Sequence, residues 1–551
     1  MKRKHFKRHS TIAMPALAAL LAAGPAQATQ FDTGIPDLSL RWDNTVKYST
    51  GYRVKDADPA LASDPNQGDG DTNFRKKGQI SSRFDLLSEL EATYRNFGLR
   101  VSGAAWRDAV YLRSNRNDTA GAFGPGTSAV NSSEVSAPTS FTPYTRKAHG
   151  RDAEVLDAFV SAKFDVDGHA TTVRLGQHTV LWGESLFFGD NAIAGAMSPV
   201  DVAKALAVPN LRFQEILRPV PQVSGQMQLT PEVSAYAFYQ LGWKENRAQG
   251  SGSYFSVVDF ATGGNLILTP TGPWVRTARQ GEKDSGQWGV SLRARGENTD
   301  YGVYFVRFHS KTPQIVTSPL TGTYHDQIHT GINALGVSAN RSVGLFNLAA
   351  EASVRGNQDL LSPNAYDVGA GAQYAVGRTA HVNLSAFGTS LGRSPVWDDA
   401  TLLAELAYSR VLSIQRGADT MSGCQPVFFP GSVCRPNGTR DALRMQVLFE
   451  PVKYQVVPGV DLRFPMGLSY TFKGSRNMIG AAPMPENAGS VNLGVAGTYL
   501  DVWRMGINYT HFFGPTGTVF STISAGGTQA WNYKQYFRDR DFVSLVVSRN
   551  F

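Results

Sequence analysis

The sequence has little of what marks metalloenzymes, nucleic-acid-binding proteins and helical membrane proteins. Its 551 residues include two cysteines and ten histidines, and the histidines show no metal-ligand spacing. No run of Lys and Arg alternates with aromatic residues, so a nucleic-acid partner is not expected. After the N-terminal segment there is no apolar run of about 18 residues, the length that a membrane-spanning helix needs. We therefore expect no enzymatic activity, no cofactor and no metal.

The N-terminal 28 residues have the composition of a signal peptide. Five basic residues precede a short apolar run, which ends in Ala26-Gln27-Ala28, an A-x-A cleavage signal. The run is too short for a transmembrane anchor. Without this segment the net charge falls from +8 to +3, so most of the apparent basicity belongs to residues 1–28. Export also makes Cys424 and Cys434, in a stretch rich in Gly and Pro, a predicted disulfide.

Apolar and polar residues alternate with a period of two through most of the remaining chain, 29–551. From position 288, for example, Trp288, Val290 and Leu292 share one face, and Ser291 and Arg293 share the other. Strands with one apolar and one charged face are typical of a membrane barrel, whose backbone must be paired throughout. A soluble β-sandwich or β-solenoid is the alternative, but no fixed repeat is present. The pattern predicts an all-β, transmembrane antiparallel β-barrel of 14–18 strands, with sixteen preferred.

The connections and the C-terminus favour the same architecture. Tight turns such as Asp165–Gly168 alternate with long polar stretches such as 114–150, as in outer-membrane barrels of Gram-negative bacteria. The chain ends on a strand-like segment whose last residue is Phe551, and this end resembles an outer-membrane β-signal. Arg549 departs from that pattern. Between residues 364 and 441 the up-and-down order of the predicted strands loses its parity, so either one strand there is wrongly assigned or the chain makes an extra crossing, and the strand count stays open.

One stretch does not alternate, and residues 182–221 are predicted to be an inserted plug or constriction segment. Ser198 and Pro199 have the pattern of a helix N-cap and first turn. A segment that mixes apolar bulk with charge fits the lumen of a barrel, where it narrows the pore; an external lid is the alternative. The residues predicted to form the plug or line the lumen are Arg174, Gln177, Trp182, Glu184, Phe187, Phe188, Asp201, Arg212 and Glu215. We expect the aromatic ones to contact solute and Glu184, Asp201, Arg212 and Glu215 to anchor the plug to the wall through ion pairs.

Two further motifs match a functional pattern only in part. Asp69, Asp71 and Asn73 have the spacing of a calcium loop, but the later bidentate Glu of an EF-hand is missing, which favours a solvated turn. The segment Gly388–Gly392 matches the G-x-S-x-G pattern, with Ser390 as the nucleophile of a hydrolase. That pattern requires a strand-turn-helix context, whereas here it ends a predicted barrel strand.

Several segments together resemble DUF1302, a proteobacterial family of unknown function. They are Asn66–Phe74 with the Gly-Gln-Ile-Ser that follows from Gly78, Arg174–Ser185 with its Trp-Gly-Glu, Ser198–Val202, and Glu215 with Pro219–Pro221. Ser198 stands where the family more often has Asn. The resemblance implies an outer-membrane barrel similar in outline to long-chain fatty-acid channels. It also implies a periplasmic lipoprotein-like partner and an inner-membrane transporter of the resistance-nodulation-division type.

Three functions are compatible with these features. The first is an outer-membrane channel for a hydrophobic or amphipathic small molecule, such as a lipid. The second is a non-conducting barrel that anchors a trans-envelope complex. The third is an outer-membrane hydrolase, for which Ser390 is the candidate nucleophile.

Overall fold

The computed structural model describes residues 29–119, 121–123, 128, 130–209, 215–422, 436–472, 474, 478–479, 485–521 and 530–551. The predicted signal peptide and both cysteines lie outside these residues. The described helices are short: Pro59–Ala62, Asp69–Asn73, Pro143–Thr145, Ala194–Met197, Val202–Ala207, a π-helical turn at Arg146–Gly150 and a 3-10 turn at Ala418–Met421. None of the helices in the described part of the chain is long and apolar enough to cross a bilayer.

Eighteen antiparallel strands form a closed barrel. In chain order, β1 to β18 are Leu38–Arg53, Gly78–Tyr94, Phe97–Asp108, Arg151–Val166, His169–His178, Val220–Gln228, Val233–Gln240, Gln287–Arg295, Asp300–Phe308, Ile332–Val343, Phe346–Asp359, Val376–Gly388, Asp399–Arg416, Asp441–Val457, Val460–Arg463 with Met466–Thr471, Ala488–Tyr499, Trp503–Phe513 and Phe542–Asn550. A short strand before them, Thr29–Phe31, pairs with the start of β1.

The barrel closes between its first and last strands. β18 pairs with β1 from Thr45↔Asn550 to Arg53↔Phe542, so the sheet has no free edge. β15 is in two pieces, because both Val460–Arg463 and Met466–Thr471 pair with β14 and β16. Pro465, which cannot donate a backbone hydrogen bond, lies in the gap. Eighteen is the upper limit of the predicted range, and the preferred number of sixteen was two strands too low.

The alternation in sequence corresponds to the two faces of the wall. On β10, Leu335 and Val337 point outward and are each 51% exposed, whereas Ala334 is fully buried on the inner face. On β17 and β18, Met505, Ile507 and Leu545 form part of the same exposed apolar exterior. An exposed apolar exterior on a closed sheet is stable in lipid, where every backbone group must be paired. The protein is therefore an outer-membrane β-barrel of a Gram-negative bacterium.

Short turns join the strands at one end of the barrel and long loops join them at the other. Turns such as Asp167–Gly168 and Gly344–Leu345 mark the end that faces the periplasm in barrels of this kind. The long loops include a small four-stranded sheet of Leu266–Ile267, Trp274–Arg276, Gln314–Ser318 and Thr323–Gln327. The loop between β5 and β6 is the stretch that breaks the alternation.

Arg549, the departure from the C-terminal pattern, lies on β18 beside the first residue of β17. Its guanidinium carbon is 5.0 Å from the centre of the Trp503 ring. A cation held over an indole face is stabilised by the ring quadrupole. This contact explains how an arginine is accommodated near the end of the final strand.

Candidate functional site

The loop between β5 and β6, residues 179–219, is called the insert from here on. β5 ends at His178 and β6 begins at Val220. The predicted segment, 182–221, therefore began later than the end of β5 and included two residues of β6. Within the insert the described residues are 179–209 and 215–219, so Arg212 lies outside them.

Glu405, on the inner face of β13, holds the start of the insert. One carboxylate oxygen accepts hydrogen bonds from the backbone N–H groups of Leu186 (3.1 Å), Phe187 and Phe188 (3.0 Å). The other accepts from the Ser185 hydroxyl at 2.8 Å and from Asn383 Nδ2 at 2.6 Å. Consecutive N–H groups that converge on one carboxylate form an anion-binding nest. Glu405 is 1% exposed, so these bonds are shielded from water.

A second carboxylate, Glu351 on β11, joins two separate turns of the insert. Its oxygens accept from the backbone N–H of Glu184 at 2.8 Å and of Ile193 at 2.6 Å. Gly183 has φ of +96°, and a Cβ there would lie 2.2 Å from Glu351 Oε2. Glycine is therefore required at this position both by the backbone conformation and by the approach of the carboxylate.

Side chains of β11, β12 and β14 contact the next turn of the insert. Asn191 Nδ2 donates to Asn383 Oδ1 at 2.8 Å, and Arg355 donates to the Ala192 carbonyl at 2.9 Å. Asp190 forms an ion pair with Arg444 at 2.6 Å. The Arg444 guanidinium also lies 4.4 Å from the centre of the Phe188 ring. Because these wall residues lie on the inner face, this part of the insert lies against the inside of the barrel.

The apolar residues of the insert pack against an apolar patch of the same wall. Trp182 is 5% exposed, with its ring centre 5.1 Å from that of Phe238 and 6.2 Å from that of Tyr304. Ile193 and Met197 are fully buried in the same cluster. Trp182 and Phe188 are thus packing residues in this conformation, and Phe187 remains partly exposed.

The second helix of the insert begins later than predicted. It spans Val202–Ala207, and its N-cap is Asp201, whose Oδ1 accepts from the Lys204 N–H at 2.8 Å. Ser198 is extended and donates to the Val180 carbonyl at 3.2 Å. The prediction of Ser198 as N-cap and Pro199 as first helical residue was wrong. The backbone of Val200 pairs with Leu217 instead, which keeps this segment out of the helix.

Two of the predicted anchors form ion pairs. Glu215 Oε2 is 3.1 Å from Lys47 Nζ on β1, and both side chains are 5% exposed. Asp201 is 2.7 Å from Arg247, which also bonds Glu154 on β4 at 2.5 Å. Arg247 belongs to the loop between β7 and β8, so Asp201 reaches the wall through a second loop. The third predicted anchor, Glu184, accepts a hydrogen bond from Asn340 at 3.0 Å and forms no ion pair among the described residues.

The two predicted residues on β5 have other contacts. Gln177 Nε2 donates to the carbonyls of Val155 and Leu156 on β4. The Arg174 guanidinium lies 5.8 Å from the centre of the Phe159 ring. Gln177 thus stabilises the wall where β4 departs from regular pairing with β3, and neither residue has a described bond to the insert.

Open space remains beside the insert. A cavity of about 420 Å³ is bounded by Lys47 and Glu215 and by inner-face residues of β15 to β18, among them Arg463 and Arg504. This part of the wall has small inner residues, including Gly494, Ala496 and Gly506, whose neighbours Val495 and Met505 point outward. A second cavity of about 440 Å³ lies next to Glu184 and Arg293 at the short-turn end.

The weak calcium candidate is an ion-pair network instead. Asp71 Oδ1 is 3.1 Å from Arg53 and its Oδ2 is 2.9 Å from Arg540. Burial raises the pKa of the Asp71 carboxyl, but Arg540 and Arg53 together hold that pKa below its usual value. Asn73 donates to the Gly252 carbonyl. Two guanidinium groups on one carboxylate leave no place for a cation, and the described residues include no group of three or more metal ligands.

The hydrolase candidate, Ser390, lies in the connection between β12 and β13. Its hydroxyl donates to Asp399 Oδ2 at 2.9 Å, and the pair is exposed. The bond goes to a carboxylate rather than to an imidazole, and the residue follows a barrel strand without a helix after it. The nucleophile-elbow geometry is therefore not present.

Sequence reasoning missed the wall residues that hold the insert, Glu351, Arg355, Asn383, Glu405 and Arg444. A signal was available, because Glu351 and Glu405 are single acidic residues flanked by small or apolar ones (Ala-Glu351-Ala and Ala-Glu405-Leu) at inward positions of long strands. A buried carboxylate requires hydrogen-bond donors. The strand pattern alone did not identify the insert as the donor.

Comparisons with known proteins identify the family of the chain without assigning its role. No curated protein matches it. Similar solved structures include OccAB4 of Acinetobacter baumannii (11% identity, 95% of this chain and 99% of that one, TM-score 0.42). Another is the outer membrane protein OpdK of Pseudomonas aeruginosa (11% identity, 93% and 98%, TM-score 0.37). The model of one family, described as "Protein of unknown function (DUF1302)", matches residues 10–551, and the chain belongs to that family.

Proposed function

We propose that the protein is an outer-membrane channel for an amphipathic or hydrophobic small molecule, with the insert as its constriction. The observation that carries this proposal is the attachment of the insert to the inner wall. Glu405 and Glu351 accept five hydrogen bonds from backbone N–H groups of the insert, and Glu405 accepts a further one from the Ser185 hydroxyl. Backbone attachment fixes the path of the segment, and a segment fixed inside a barrel narrows the pore.

The route we propose runs between the insert and the small-residue part of the wall. The attachments of the first half of the insert are on β7 and β9 to β14. The cavity of about 420 Å³ lies on the other side, against β1 and β15 to β18. The ion pair of Lys47 and Glu215 borders this cavity and joins the far end of the insert to β1. Breaking that pair is the smallest change that would widen the route.

Transport can be tested with the purified barrel in liposomes. p-Toluenesulfonate serves as a membrane-impermeant amphipathic probe, and glucose as a polar probe of similar size. We expect p-toluenesulfonate to enter protein-containing vesicles faster than protein-free ones, and faster than glucose does. Equal entry of the two probes would contradict amphipathic selectivity, and entry no faster than in protein-free vesicles would contradict transport. Growth of a deletion strain on hydrophobic carbon sources would then identify the solute.

A non-conducting docking barrel is the second candidate. The insert contacts many strands, and a segment held by so many contacts can keep a barrel closed. This observation favours the docking function. The partners we propose in either case are a periplasmic lipoprotein-like protein and an inner-membrane transporter of the resistance-nodulation-division type. Co-purification of a stoichiometric periplasmic partner with a barrel that conducts nothing would favour docking over transport. For the hydrolase alternative, full activity of a Ser390→Ala variant on any ester found to be cleaved would remove Ser390 as its best candidate nucleophile.

A further inference from the structure

A pocket at the long-loop end of the barrel is lined by seven charged residues and one tryptophan. It has a volume of about 440 Å³ and lies over the ends of β6, β7 and β8. The insert contributes one lining residue, Arg218, and the loop between β7 and β8 contributes the others. These are Trp243, Lys244, Glu245, Arg279, Glu282, Lys283 and Asp284. The pocket therefore joins the end of the insert to the outer mouth.

The acidic residues of this pocket already have donors. Glu245 and Glu282 both pair with Arg279, at 2.6 and 3.6 Å. Asp284 Oδ1 accepts from the Trp243 backbone N–H at 2.9 Å. Among the described residues neither Arg218 nor Lys244 forms an ion pair within 4.0 Å, and Glu154 and Asp201 act on these cations only from a greater distance.

Arg218 and Lys244 bond only backbone carbonyls in the described part of the chain. Arg218 Nη1 donates to the Glu245 carbonyl, and Lys244 Nζ donates to the Pro219 carbonyl at 2.7 Å. The Nε atom of Arg218 is buried with no hydrogen-bond partner among the described atoms. Burial and repulsion from Arg247 lower the pKa of Arg218 despite the attraction of Glu154 and Asp201. Burial and repulsion from Arg218 lower the pKa of Lys244 despite the attraction of Glu154. Two neighbouring cations that repel each other are stabilised by an anion placed between them.

We propose that this pocket binds the carboxylate group of a small solute, with Arg218 and Lys244 as the recognising cations. The planar guanidinium of Arg218 suits a carboxylate, and Lys244 supplies a point charge. Trp243 provides an aromatic surface against which an apolar body can pack. As a binding site the pocket does not depend on transport. As the first site on the route into the barrel it rests on the proposed channel function.

The test is calorimetric titration of the folded, detergent-solubilised barrel with benzoate and with benzamide, its neutral isostere. We expect benzoate to bind and benzamide not to. The double variant Arg218→Gln, Lys244→Gln is expected to bind benzoate at least about tenfold more weakly, because it loses two charged hydrogen bonds to the carboxylate. The matched control is Arg295→Gln, which removes an 80% exposed charge at the end of β8. It should change affinity less than about twofold.

Three results would overturn the assignment. They are no benzoate binding by a folded wild-type barrel, equal binding of benzamide, and unchanged affinity in the double variant. Competition with inorganic phosphate distinguishes a carboxylate site from a phosphate site. Weak competition supports a carboxylate site, and phosphate binding tighter than benzoate would assign the pocket to a phosphate group and overturn the proposal. Because no transport is measured, a negative result leaves the conductance of the barrel as a separate question.

Discussion

Replacing Glu405 by Gln is expected to release the start of the insert from the wall. In the native structure one oxygen receives three backbone N–H groups and the other receives Ser185 and Asn383. An amide has a single acceptor oxygen, so the substituted side chain can serve the backbone or Asn383 but not both. Losing one or two charged hydrogen bonds costs about 2–4 kcal/mol. The population of released insert should then rise by about 30- to 1,000-fold.

Single-channel recording in planar bilayers measures this release as openings. We expect the Glu405→Gln variant to show more frequent or larger openings than the wild-type barrel at the same voltage. The matched control is Glu91→Gln, which removes an inner-face carboxylate of β2 that lies 3.8 Å from Arg100 and lines neither cavity. That control should behave as wild type. If Glu405→Gln folds, as judged by an SDS-resistant barrel, and its recordings equal those of wild type, the reasoning about the insert is refuted.

Three further predictions follow from other contacts. Gly183→Ala should destabilise the attached insert by about 1–3 kcal/mol through backbone strain and a clash with Glu351, and single-channel recordings should show additional openings. The control Gly344→Ala, at φ of +60° with open space around it, should show none. Recordings of Gly183→Ala that equal those of the wild type would contradict the contact with Glu351. Asp71→Asn removes the carboxylate that pairs with both Arg53 and Arg540 and should lower the stability of this loop by about 3–5 kcal/mol. Hydrogen exchange of residues 66–74 measures the change. The control is Asp118→Asn, at a side chain that is 75% exposed. Burial raises the pKa of Asp259 to about 6. The folded loops therefore bind this proton more tightly than the unfolded chain does, and they lose stability as the pH rises from about 4 to 6. In thermal melts Asp259→Asn should reduce that loss, and a variant with the pH profile of the wild type would contradict the role of Asp259.

The barrel wall could be predicted from the sequence because each strand has its own two-residue period of apolar and polar residues. Leu335 and Val337 alternate with the small or polar residues Ala334, Gly336 and Ser338, so the two faces of this strand can be assigned without any knowledge of other strands. The up-and-down order could not be assigned between residues 364 and 441, where the structure has two strands, β12 and β13. Their pairing shifts register between Val376 and Gly377 and again between Arg378 and Thr379. Each bulge locally interrupts the two-residue period from which strands are recognised.

The insert was recognisable as an exception, but its attachments were not. Glu351 and Glu405 are 54 positions apart in sequence and lie on different strands, and only the closed barrel sets them opposite the same loop. The helix start depended on similar tertiary contacts. Ser198 and Asp201 are both good caps, and the pairing of Val200 with Leu217 decided between them. Of the predicted ion-pair anchors, Glu215 pairs with the wall residue Lys47, whereas Asp201 pairs with Arg247 of a neighbouring loop. A buried carboxylate requires a partner wherever the chain places it.

Conductance after removal of the insert tests the central claim most directly. Residues 186–214 are replaced by a flexible Gly/Ser linker, and the barrel is recorded in planar bilayers beside the wild type. If the insert constricts the lumen, the variant should form stable pores of clearly higher conductance than the wild-type barrel. An SDS-resistant, folded variant with the conductance of the wild type would contradict the account.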